Sequence, residues 1–191
     1  MMILAQVLLL IWLFSRLLPR RLTWLAAVFG LAALIPWGHG LSLATALRAL
    51  WGDPSITTIQ LLVLAVAGRT PAAFGRRWQG PAVIAVISLL FYPLALGAGD
   101  FDPYRLGFHP TVLLAVLAIP ALLLWWRGQV LWLWLLAVDL LAFAAGVLES
   151  TNLWDYLTDP LLAIACAVLV VRNLTTARNP SNHRLQATDP S

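Results

Sequence analysis

Asp139 stands in the middle of an apolar run, VLWLWLLAVDLLAFAAGVLE, that fills residues 130–149. A carboxylate at the centre of a bilayer costs roughly 2.5–3.5 kcal/mol on insertion scales, so an acid in such a run needs a partner or a purpose. One reading is interhelical glue, a protonated or hydrogen-bonded carboxyl worth about 0.6–2 kcal/mol. The other is a proton- or cation-binding site. Gln60, Ser88 and Tyr92 are the polar side chains at comparable depth in other apolar runs, and are the expected interhelical partners. No arginine shares that depth.

Two polar loops hold most of the remaining acids. GDFDPYRLGFHP carries Asp100, Asp102, Arg105 and His109, and ESTNLWDYLTDP carries Glu149, Asp155 and Asp159 around Trp154 and Tyr156. Asp53, Asp102 and Asp159 each precede a proline. Aspartate accepts a bond from an orphan N–H at a helix start and proline suits the first helical position, so Asp53 and Asp159 are expected to be caps. That leaves Asp100, Asp102, Arg105, His109, Glu149 and Asp155 as a polar cluster on one face. Asp100 and Asp102 could both offer oxygens to Ca²⁺ or Mg²⁺, but their spacing matches no established loop, so no metal is assigned. An ion pair from Arg105 to Glu149 or Asp155, tying the loops together, is the plainer reading.

Ser150, Thr151 and His109 are of the types that make a nucleophile and its base. The chain has no Gly-x-Ser-x-Gly, no His-Glu-x-x-His and no phosphate-cradling glycine loop, so no catalytic residue and no cofactor are assigned. The single cysteine, Cys166, excludes an internal disulfide.

The elements that must position these groups are apolar runs. The chain is 61% hydrophobic and 10% charged, with a mean hydropathy of +0.87, whereas soluble domains are about 25% charged. Apolar segments at residues 2–18, 22–37, 53–68, 81–98, 111–126, 130–148 and 160–171 predict an all-α, polytopic integral membrane helix bundle of about seven spans. The third segment reaches only about 22 Å at about 1.5 Å per residue, so six spans plus a short re-entrant segment is the alternative. Pro93 and Pro120 are expected to kink the fourth and fifth segments. Residues 38–53 read as an amphipathic stretch and residues 69–80 as a basic loop. Residues 1–172 make the transmembrane domain, and residues 173–191 a disordered cytoplasmic tail.

All 12 basic residues other than histidine are arginine; ten lie in alternate connections and the tail, and only Arg48 and Arg105 fall in the others. The positive-inside rule then places the N-terminus outside and the C-terminus in the cytoplasm, in a bacterial inner membrane. The net charge of +4 is dispersed rather than gathered into a patch, so nucleic acid is excluded as a partner. The expected partners are the lipid bilayer and a membrane or periplasmic protein. The function expected is a non-enzymatic component that presents an acidic, aromatic periplasmic face to a partner or envelope substrate. The alternatives are a small proton- or cation-coupled transporter using Asp139 and an enzyme modifying lipid head groups.

Overall fold

Glycines and capping hydroxyls, more than apolar length, decide where the helices begin and end. The structure, a computed structural model, describes residues 2–37, 40–69 and 79–178. Among these the helices are α1 (Met2–Leu17), α2 (Trp24–Ala32), α3 (Leu43–Trp51), α4 (Ile56–Val66), α5 (Gln79–Ala95), α6 (Pro110–Trp126), α7 (Val130–Ala144), the single turn α8 (Trp154–Leu157) and α9 (Pro160–Arg178). A 3₁₀ segment, Pro103–Phe108, lies between α5 and α6. The amphipathic stretch forms α3, started by a reciprocal capping box in which Ser42 N donates to Thr45 Oγ1 (2.8 Å) and Thr45 N to Ser42 Oγ (3.2 Å).

The ends are equally specific. α7 stops at Ala144 because Gly146 turns the chain with φ 60°. Gly146 N then donates to Phe143 O (3.0 Å) and Val147 N to Ala142 O (3.0 Å), the paired bonds of a Schellman motif. A residue with a Cβ would meet a steric penalty there. α4 closes in the same way, with Gly68 N on Ala65 O (3.2 Å) and Arg69 N on Leu64 O (2.8 Å).

These terminations correct the membrane reading. Among the described residues, no helix is long and apolar enough to cross a membrane. The 17 residues of α5 and of α6 reach about 25 Å against a hydrocarbon core of about 30 Å. α9 has 19 residues, but its last turns carry Arg172, Asn173, Thr175 and Arg178. The seven-span bundle and its six-span alternative both fail on this length. With them go the inner-membrane topology with an outside N-terminus, the periplasmic-face component, the transporter and the lipid-modifying enzyme, since each presumed spanning helices. What remains is an all-α helix assembly. Residues 173–178 continue α9, whereas residues 179–191 of the expected tail and residues 70–78 of the basic loop lie outside the described residues.

α4 is the hub. It packs against α1, α7 and α8, while α2 and α3 lean on α1, α6 on α7, and α5 on α9. Ile56, Leu113, Leu148, Leu153 and Tyr156 form one buried cluster. Leu162 and Cys166 form a second, with Leu61, Ile84 and Trp132 packed on it. Large apolar side chains also remain on the exterior, Leu96 and Trp126 most of all, at 85% and 88% exposure.

Tyr156 anchors the 145–153 loop to the first cluster. Its buried hydroxyl accepts from Leu148 N (3.1 Å) and lies 3.1 Å from Leu148 O and 3.3 Å from Ser150 O. Tyr156→Phe strands a buried N–H and should cost about 1–3 kcal/mol in urea unfolding, with the helical circular dichroism unchanged.

Candidate functional site

A half-open cleft of about 480 Å³ opens where α5, the 3₁₀ segment, α8 and the start of α9 converge. Its aromatic wall is Trp51, Phe91, Tyr92, Tyr104 and Trp154, and three carboxylates, Asp53, Asp155 and Asp159, also line it. None of the described lining side chains is basic.

Phe91 organises the wall. Its ring centroid lies 4.6 Å from that of Trp154 and 6.4 Å from that of Tyr104, and it meets Tyr92 edge-on at 5.4 Å. Trp154 is fixed from behind, its indole N–H donating to Pro103 O (2.9 Å) and its backbone N to Asn152 Oδ1 (2.9 Å). Asn152 Nδ2 in turn donates to Tyr104 O (3.0 Å). One buried amide therefore locks both polar loops to each other.

Asp155 receives the Tyr104 hydroxyl at 3.0 and 3.1 Å and the Ser150 hydroxyl in a short contact. Both of these partners are neutral hydroxyls, so they solvate the carboxylate without cancelling its charge. Burial, followed by the Asp155 charge and hydrogen bond, pushes the Tyr104 phenol up to about 12. Burial raises Tyr92 to about 12 as well, while the nearby Thr158 hydroxyl works in the opposite direction. Both phenols thus stay protonated, and Tyr104 donates to Asp155. Thr158 Oγ1 lines the same cleft, is buried, and completes no hydrogen bond of normal geometry although it lies near Tyr92.

Asp159 forms the deep end. Its Oδ1 accepts from Leu162 N (2.9 Å) in the first turn of α9. Its Oδ2 accepts from Ser55 N (2.8 Å), Ser55 Oγ (2.6 Å) and the Thr58 hydroxyl. One carboxylate therefore starts α9 and also ties it to the start of α4.

Asp53 does otherwise than expected. Ser55, not Asp53, caps α4, accepting from Thr58 N (3.2 Å). Asp53 pairs with Arg48 in a forked contact of 2.7 and 2.9 Å, across the positive-φ turn at Gly52 that ends α3. Glu149 also pairs with Arg48 (3.2 Å), not with Arg105. The hydrogen bonds to Asp53 and then Glu149 raise the Arg48 pKa.

The six-residue polar cluster therefore divides. Asp102 accepts from Tyr104 N (2.9 Å) and starts the 3₁₀ segment. Asp100, Arg105 and His109 are exposed, and His109 makes no side-chain cap to α6. Among the described residues, no group of three metal-binding side chains forms.

Asp139 lies apart from the cleft on the α4–α7 seam. Gln60 Nε2 donates to its Oδ1 (2.9 Å) and Thr57 to its Oδ2 (2.6 Å). Ser88 and Tyr92 sit on α5, which packs on α9, and neither bonds to Asp139. The sequence reading missed Thr57, which precedes Gln60 by one helical turn and so shares its face. It also missed Phe91 and Tyr104 as cleft walls, for which no local signal exists. No protein-family model, curated protein or solved structure matches this chain.

Proposed function

We propose that this chain is a binding protein for a small organic cation, an amine or quaternary ammonium, held in the cleft between Phe91 and Asp155. The observation that carries it is the union of five aromatic side chains with the Asp155 carboxylate, with no basic lining residue, around about 480 Å³; of the other lining acids, Asp53 is paired with Arg48 and Asp159 is saturated by Ser55, Thr58 and Leu162. Aromatic faces attract a cation by about 0.5–2 kcal/mol each, more as water is excluded. The volume falls within the roughly 300–1,000 Å³ of ordinary ligand pockets.

Each residue then has a role. Phe91 and Trp154 supply ring surface, and Asp155 supplies the counter-charge. Tyr104 and Ser150 hold that carboxylate in place, and for a ligand that is a primary to tertiary amine the Thr158 hydroxyl offers an acceptor for its N–H. Arg48, drawn to Asp53 and Glu149, stays out of the cleft.

Calorimetric titration with choline tests the reading. The wild type should bind, and Asp155→Asn should bind at least about tenfold more weakly, the loss of roughly one charge-assisted contact. Unchanged circular dichroism in the variant would show that folding is intact. Equal affinity in the two proteins, or no binding by the wild type, would overturn it.

A further inference from the structure

Asp139 is 2% exposed, and the cleft makes no use of it. Its two hydrogen-bond partners, Thr57 and Gln60, are both neutral. A buried carboxylate without a cation is costly, and the usual relief is to take up a proton.

The surroundings are built to accept one. A hydroxyl both donates and accepts, so the 2.6 Å Thr57 contact holds with the proton on either oxygen. Gln60 Nε2 is shared between Asp139 Oδ1 and Leu135 O (3.2 Å), while its Oε1 is buried with no partner. An amide turn would offer that orphan acceptor to a carboxyl O–H. We propose that Asp139, Thr57 and Gln60 form a proton-binding site that fastens α4 to α7 when Asp139 is neutral and loosens the seam when it ionises.

No charged side chain of the neighbouring elements is bonded to Asp139, although α9 carries Arg172. α4, α6 and the rest of α7 carry no titratable side chain. On α8, Asp155 is held by Tyr104 and Ser150, and the Tyr156 hydroxyl lies against Leu148 and Ser150 backbone. On α9, Asp159 is held by Ser55, Thr58 and Leu162, and burial keeps Cys166 protonated, its thiol pushed up to about 12. α1 brings Arg16, whose guanidinium lies over Trp12. Burial is the leading cause that lifts Asp139 from 3.8 to about 7, and the Thr57 and Gln60 hydrogen bonds only partly oppose it.

A raised folded value fixes the sign. The stabilising protonation is fully present below the unfolded value and is lost as pH rises through the folded one. Between about pH 4 and pH 7 the native state holds a proton that the unfolded chain releases, so the unfolding constant should climb by about two to three orders of magnitude. Above about pH 8 the curve should flatten.

Urea unfolding across this range compares wild type with Asp139→Asn, which should lose that climb. Infrared difference spectra of the wild type supply the second readout. A protonated-carboxyl carbonyl band should vanish with a midpoint near 7, and Asp139→Asn should lack it. Parallel stability profiles in the two proteins would overturn the proposal. Should the variant fail to fold, the wild-type spectrum decides: a band titrating near 7 supports the site, and none titrating above about pH 6 rejects it.

Discussion

Asp159→Ala should destabilise the protein by about 3–4 kcal/mol, the largest loss expected from any single polar side chain here. The change strands Ser55 N and Leu162 N in the interior and removes the acceptor shared by two hydroxyls. Each buried orphan costs about 1–3 kcal/mol, and relief from burying the carboxylate returns part of the sum. The contact from Ser55 to Asp159 spans 104 residues, so its loss frees the start of α4 from the start of α9. Choline binding should fall with it, because the deep end of the cleft is then unfastened. Asp159→Asn, which keeps one acceptor oxygen, should lose about half as much. Urea denaturation of the three proteins measures this, and a loss below about 1 kcal/mol in the alanine variant would contradict the tie.

Gly107→Ala is the second large effect. A Cβ at this position would overlap Asn152 Oδ1 and stand 2.7 Å from Asn152 Cγ and 2.8 Å from Trp154 Cδ1. Asn152 cannot swing aside, since it is fully buried and bonded to Tyr104 O and Trp154 N. Gly107 O also accepts from Leu153 N (3.1 Å), which prevents the backbone from backing away. The expected cost is about 2–4 kcal/mol from overpacking and the broken amide lock. Trp154 should shift as well, so the aromatic near-ultraviolet dichroism should change and choline affinity should drop about tenfold. A variant that melts with the wild type and keeps its tryptophan signal would show that the loops do not meet this closely.

These two residues show what the sequence could convey. Helical class was legible from the long apolar runs, and the amphipathic stretch over residues 38–53 contains α3. Helix length was not, because glycine turns and capping hydroxyls stop helices inside runs that stay apolar. The turn at Gly146 ends α7 at Ala144, four residues before Leu148, although no charge interrupts residues 145–148. Asp53 looked like a cap because it precedes Pro54, yet Ser55 lies two residues on, with Thr58 at the spacing a cap needs.

The cleft was half visible. Asp155 and Trp154 are adjacent in one loop, and their shared character was plain from the sequence. Tyr104 lies 51 residues away from Asp155, and Phe91 farther still. Pairings at such separations follow from the packing of α5, α6 and α8, not from any local pattern. The Asp139 seam shows the same limit: Gln60 was legible by depth, whereas Ser88 and Tyr92 share that depth on a helix that packs elsewhere.

The most direct measurement compares choline with its neutral isostere, in which a quaternary carbon replaces the nitrogen, by calorimetric titration of the wild-type protein. The two share size and shape and differ in charge. Cation–aromatic attraction and the uncancelled Asp155 carboxylate predict that choline binds at least about tenfold more tightly. Equal affinities would contradict the account, because the cleft would then be selecting bulk and not charge.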